Sequence, residues 1–322
     1  MKNIFISLLV LFFSVNTFAQ DAYPNKKTIT IVSPFIAGGG SDILTRILAE
    51  SFHKTLGTQV VVSNVAGAGG TIGSNQVARA APDGLTLLLV HIGMSTAPAL
   101  YKNLPFDPIK SFEHIGLFAE APKLLLAGKH ITSKDGNELI DYLKKSKEQI
   151  NFATAGIGSA GHLCALLLEE SLGVRFTQIQ YKGGSSAMLD VIGGRSDFFC
   201  EIPPPIYQHI KAGNLKAYMH ASENRMASLP DVPTAKELGL SQFKMSVWYG
   251  LYAPLGTPKL IVEKLSTALQ GAIKDPAVQS EAEKLGLYLF PPDQATPQAL
   301  RKHLQSQMDL WTPIIKKASL AQ

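Results

Sequence analysis

The chain has 322 residues, 46% of them hydrophobic and 17% charged, with a formal net charge of +5. That length is enough for two domains of ordinary size with well-filled cores, and the composition excludes a disordered chain or a membrane protein. The basic residues are scattered. Their one cluster, Lys144-Lys145-Ser146-Lys147, shares a helical segment with Glu138, Asp141 and Glu148 and reads as a solvated face, not a nucleic-acid patch.

In chain order, the first segment stands apart. Lys2 precedes an apolar run at 4–15 (IFISLLVLFFSV), followed by Thr17-Phe18-Ala19. A basic start, an apolar stretch and a small-x-small site describe a secretory signal over residues 1–19, which is removed. The run is too short to span a bilayer core of about 30 Å, and no cysteine follows the cleavage site. The mature protein is expected to be exported.

Strands and helices then alternate. Strands are predicted at 28–33, 58–63, 85–90, 151–155, 176–180, 197–201, 215–220 and 246–253. Helices are predicted at 42–56, 71–80, 137–147, 159–172, 186–192, 258–273 and 296–317. Such alternation with short connectors argues for an α/β protein with largely parallel sheets. The helix at 42–56 shows the reasoning. Ile43, Leu44, Ile47, Leu48, Phe52 and Leu56 form an apolar stripe, Ser41 or Asp42 can cap its start, and Gly57 ends it.

Three strand ends run into glycine-rich turns that open helices: AGGGSD at 37–42, NVAGAGGTIG at 64–73 and GIGSAGH at 156–162. Bare backbone N–H groups at a helix start favour an anion. Ligands of open α/β sheets lie at the carboxyl ends of strands, so the three turns can converge on one cleft between two lobes.

Nucleotide and catalytic motifs fare poorly by comparison. Residues 156–161 spell GxGxxG, but the following strand ends in Gln180-Tyr181-Lys182 and lacks the acid that holds a ribose; GxxxxGK[ST] does not occur. Ser159 opens a helix, yet a nucleophile elbow needs glycine where Ile157 stands, and a capping serine explains it better. The histidines form no HxxxH or HExxH pair; His162 lies one turn along the helix face from Ser159. Cys164 and Cys200 show neither CxxC nor zinc spacing, and two buried thiols are expected in preference to a bridge. The compact charge of a carboxylate suits these turns better than a pyrophosphate does.

The strings YPNKKTITIVSPFIAGGGSDILTR, NVAGAGGTIG, APDGLTLLLV, PALYKNLPFDP, GIGSAGHL, YKGG, HIKAGNLKA, LPDVPTAKELG and WYGLYAPLGTP run in order from Tyr23 toward the end. Together they resemble the Bug-type (TctC-like) receptors, the periplasmic solute-binding proteins of tripartite tricarboxylate transporters. The resemblance implies a two-lobed periplasmic-binding-protein fold of type II character. Each lobe is a mostly parallel sheet flanked by helices. Residues 23–122 with 225–322 form one lobe, and 123–224 the other. It further implies a monomeric periplasmic binding protein without cofactor, metal or catalysis, which closes on a small mono- or dicarboxylate, aliphatic or aromatic, and hands it to membrane transporter subunits. The implied ligand-binding residues in the first lobe are Phe35, Ala37, Gly38, Gly39, Gly40, Ser41 and Asp42, with Ala68, Gly69, Gly70 and His91. Ser159, His162 and Glu201 face them from the second lobe. Glu201 stands within FFCEIPPP, where the family carries Asp-Asn-Leu-Pro. It either accepts from the far end of the ligand or pairs with a lysine of its own lobe such as Lys182. Alternatives are an exported hydrolase using Ser159, a nucleotide-dependent enzyme, or a sensor-linked binding protein without a transporter.

Overall fold

The computed structural model describes residues 23–146, 149–222, 224–226 and 228–317. The proposed signal segment lies outside the described residues. The chain builds two α/β lobes around two sheets. The first run comprises β1 (Ile29–Ser33), α1 (Gly40–Leu56), β2 (Val60–Asn64), α2 (Thr71–Ala78), β3 (Thr86–His91), α3 (Gly93–Leu100) and β4 (Phe112–Pro122). The second comprises β5 (Leu124–Gly128), α4 (Gly136–Ser146), β6 (Asn151–Thr154), α5 (Ala160–Leu172), β7 (Thr177–Gln180), α6 (Gly184–Ile192), β8 (Phe198–Glu201), α7 (Tyr207–Lys211) and β9 (Leu215–His220). The chain then returns through β10 (Ser246–Pro254), α8 (Lys259–Lys274), α9 (Pro276–Lys284), β11 (Tyr288–Leu289) and α10 (Pro297–Lys317).

The strand order is β11-β4-β10-β3-β1-β2 in one sheet and β7-β6-β8-β5-β9 in the other. Parallel pairing, expected from the alternation, holds for β1 with β2 and β3 and for β6 with β7 and β8. The strands that carry the chain between lobes pair antiparallel: β10 with β3 and β4, and β5 with β8 and β9. The sheets are therefore mixed rather than mostly parallel. A lobe inserted into another requires the chain to leave and come back, and the returning strand runs against its neighbours.

Local chemistry sets the elements as the patterns require. In α1 the stripe residues Leu44, Leu48 and Phe52 are buried. The helix ends where Gly57 turns left-handed (φ +63°) and its N–H reaches His53 O. Strand β5 is buried throughout, with Leu125 and Ala127 facing one core and Leu124 and Leu126 another. That two-sided burial explains why β5, an unbroken apolar run (LLLAG), carries no alternation from which to predict it.

One expectation is overturned. Cys164 and Cys200 form a disulfide, with Cα atoms 6.2 Å apart. Helix α5 packs across β8 and brings two residues 36 positions apart into reach. No spacing rule could reveal the pair, because it depends on where a helix crosses a strand.

Candidate functional site

The first glycine turn joins β1 to α1 and is braced from behind. Asp42 Oδ2 accepts from the Gly38 N–H (2.9 Å) and from Arg46 Nε (3.0 Å), and Oδ1 accepts from Asn64 Nδ2 (3.0 Å). The same Asn64 amide donates to Phe35 O at 3.0 Å. Burial alone pushes the Asp42 carboxyl up. The hydrogen bonds from Arg46, Gly38 and Asn64, with the Arg46 charge, outweigh that and hold it below the usual carboxylate range. Asp42 therefore shapes the turn and does not line the cavity in front of it, whereas Phe35, Gly39, Gly40 and Ser41 do. The N-cap of α1 is Gly39, which offers no side-chain acceptor. The first-turn amides of the helix thus keep their donors and their share of the dipole.

The second glycine turn does something else. Gly67, Ala68, Gly69 and Gly70 all have positive φ, and a Cβ placed on Gly69 would lie 2.1 Å from Ile157 O of the other lobe. Tyr101 Oη donates to that same Ile157 O at 2.8 Å. Ala68, Gly69 and Gly70 do not line the cavity; this turn is where the lobes touch. Around the first turn, Ser185 Oγ donates to Ala37 O at 3.4 Å, and a Cβ on Gly183 would strike Ile36. The lobes are closed upon each other, and Ala37 and Gly38 belong to that contact. Between them remains a small cavity, of about 40 Å³.

His91, at the end of β3, lines this cavity and stacks on Phe35 with ring centroids 4.6 Å apart. Its Nδ1 accepts from the Gly93 N–H at 2.9 Å, so the neutral ring carries its proton on Nε2. Burial, with the nearby Lys123 charge, lowers its pKa to about 3. Tyr249 of β10 closes this side, its hydroxyl 3.5 Å from Ser41 Oγ.

On the second lobe, Ser159 is the N-cap of α5: its Oγ accepts from the His162 N–H at 3.2 Å. His162 Nδ1 in turn accepts from the Gly158 N–H at 3.0 Å, and burial lowers the pKa of the ring to about 4. Ser159, Ala160 and Gly161 line the cavity; His162 does not, and serves to hold the turn. Among the described residues the partner of Ser159 Oγ is the His162 backbone N–H, the bond of a helix cap. Helix α6 also opens onto the cavity at Gly184, and its N-cap Gly183 offers no side-chain acceptor.

Glu201, at the end of β8, faces the cavity and is also paired. The partner is not Lys182 but Lys123, whose Nζ lies 3.0 Å from Oε1 and donates also to Cys200 O at 3.2 Å. Both side chains are nearly enclosed, 4% and 11% exposed, so the pair holds only because each charge answers the other. Lys123 sits at the crossover itself, its carbonyl accepting from the Ala221 N–H (2.8 Å) of the returning segment. The sequence reading passed over it. A single lysine between Pro122 and the apolar LLLA of β5 was the available signal, since a charge inside a buried run needs a partner.

Residues 44–320 match the profile of the tripartite tricarboxylate transporter family receptors. A protein of the TAR-I ttuE–ttuC' intergenic region of Agrobacterium vitis is 43% identical over 93% of this chain and 86% of its own length. Among solved structures, the periplasmic binding protein BugD aligns with a TM-score of 0.88 at 44% identity, covering 91% of this chain and 98% of that one. MatC from Rhodopseudomonas palustris, solved with bound malate, aligns at 0.85 and 36% identity, covering 89% and 98%.

Proposed function

The chain belongs to the tripartite tricarboxylate transporter receptor family, and from that premise we propose that it captures a small carboxylate between its lobes and presents it to a membrane transporter. The family is one of solute-binding receptors. What supports the carboxylate is one observation: three helix N-termini, those of α1, α5 and α6, open onto one interlobe cavity, and two of them lack a side-chain cap. An anion there gains N–H donors and dipole from fixed groups at little reorganisation cost.

In this reading the carboxylate lies against Gly39, Gly40 and Ser41, with His91 Nε2–H and Tyr249 as further donors. Ser159 and Glu201 meet the other end. Asp42 and His162 position the two turns from outside the cavity. Gly69 and Tyr101 carry the closure contact, so binding draws the lobes together by favouring the closed population. The protein acts after export, in the periplasm, as a carrier without catalysis.

The test is a thermal-shift and calorimetric series of mono- and dicarboxylates, aliphatic and aromatic, against matched neutral amides. A carboxylate at a hundred times its Kd should raise stability by about 2.7 kcal/mol. Amides that bind as well as their acids would sink the reading.

A further inference from the structure

Resting on the carboxylate reading, we infer that the Lys123–Glu201 pair selects for a hydroxyl group on the ligand, so that the preferred solute is a compact hydroxycarboxylate.

The donor and acceptor count at the far wall carries this. Glu201 Oε1 is saturated, accepting from Lys123 Nζ (3.0 Å) and from the Ile202 N–H (2.7 Å). Glu201 Oε2 has no donor among the described residues, yet Glu201 is only 8% exposed and lines the cavity. A lysine ammonium carries three protons. Two of those of Lys123 go to Cys200 O and Glu201 Oε1, and the third has no acceptor among the described residues. The wall therefore offers one anionic acceptor and one cationic donor side by side, with their charges cancelling.

A ligand group that satisfies both must give one hydrogen bond and take one from a single small centre. A hydroxyl does that: its proton goes to Glu201 Oε2 and its lone pair receives the Lys123 N–H. A methylene displaces water from both wall groups without replacing its hydrogen bonds, which costs affinity. A second carboxylate can take from Lys123 but meets the Glu201 charge, and an ammonium can give to Glu201 but meets Lys123. The small cavity favours a short chain.

The experiment compares matched acids by calorimetry on the purified protein: propionate with lactate, butyrate with 3-hydroxybutyrate, succinate with malate, and lactate with alanine. The hydroxy member should bind about tenfold tighter or better than its deoxy or amino partner in each pair that binds. Equal or tighter binding of the deoxy or amino members overturns the inference while leaving the carboxylate reading intact. If none of these acids nor any other carboxylate binds, the carboxylate reading falls and takes the inference with it.

The double variant Lys123→Met/Glu201→Leu replaces the pair with apolar groups of similar size, which buried ion pairs often tolerate. It should compress the hydroxyl preference to within about threefold. Gly184→Ala supplies an independent arm that leaves both charges in place, since its Cβ would lie 2.3 Å from Glu201 Oε2 and must displace that oxygen. It too should compress the preference, and a full preference retained in both variants overturns the role of the pair.

Discussion

The two glycine turns that face each other across the cleft, at 37–42 and 156–162, share a strand–turn–helix plan and differ in who satisfies the helix start. In the second lobe the turn closes on itself: Ser159 Oγ takes the His162 N–H and His162 Nδ1 takes the Gly158 N–H. In the first lobe the bracing comes from behind, through Asp42 and Asn64, and the N-cap is a bare glycine. One turn keeps its donors for a ligand, and the other has spent part of them on its own fold. In the proposed reading the same motif gives an anion cradle on one side and a rigid wall on the other, and discrimination at that wall passes to Glu201 and Lys123.

The largest expected effect tests a feature both sides share, a buried neutral histidine whose Nδ1 accepts a glycine amide. Their folded pKa values, about 3 for His91 and about 4 for His162, lie below the unfolded value near 6.5. The unfolded chain therefore binds protons first as pH falls. Stability is full above about pH 6.5 and is lost as pH drops toward 4, where His162 begins to protonate in place, and toward 3 for His91. Together they should remove about 4–6 kcal/mol between pH 7 and pH 4, read as a fall in the urea midpoint. His91→Gln and His162→Gln should each remove about 2–3 kcal/mol from that fall, while His114, whose pKa burial lowers to about 4, keeps its own share in both variants. An unchanged slope in either would show that its ring is not held neutral by burial.

Next comes the staple that only the second lobe has. Replacing Cys164 and Cys200 by alanine opens a loop of 36 residues, which should cost about 3–4 kcal/mol by loop entropy. Amide exchange should rise in α5, β6 and β8 while β1 and β3 stay protected. Equal loosening of both sheets would mean that the lobes unfold as one unit.

Gly69→Ala attacks the contact between the lobes. The added Cβ meets a backbone oxygen at 2.1 Å and sits at φ +62°, so it opposes both the turn and closure. Affinity for a confirmed ligand should fall on the order of a hundredfold, about 2.7 kcal/mol, and small-angle scattering should show no contraction on adding it. Wild-type affinity with normal contraction would remove Gly69 from the closing surface.

The smallest effect sharpens the contrast between the turns. Ser159→Ala removes a cap and should cost about 1 kcal/mol of stability. Gly39→Ala has ordinary space for its Cβ, 3.6 Å from Ile36 O at the nearest, and should leave the melting temperature almost unchanged. If Gly39→Ala destabilises more than Ser159→Ala, the division between open cradle and capped wall is wrong.

Much of this molecule was legible in its residues. The stripe of α1 with its Gly57 stop and the three glycine turns are local patterns, and local sterics and burial dictate them. Those patterns were enough to bring Gly39, Gly40, Ser41 and Ser159 to notice as groups at helix starts. They could not distinguish turns that line a cavity from turns that seal it, because Ala68–Gly70 and Gly39–Ser41 look alike until the lobes close. Nor could they pair Cys164 with Cys200 or Glu201 with Lys123, which lie 36 and 78 positions apart. Periodicity reports which face of an element is buried. Which element packs over which is decided by sheet order and helix crossing, and only there do a lone lysine beside a proline and an acid at a strand end become one buried pair.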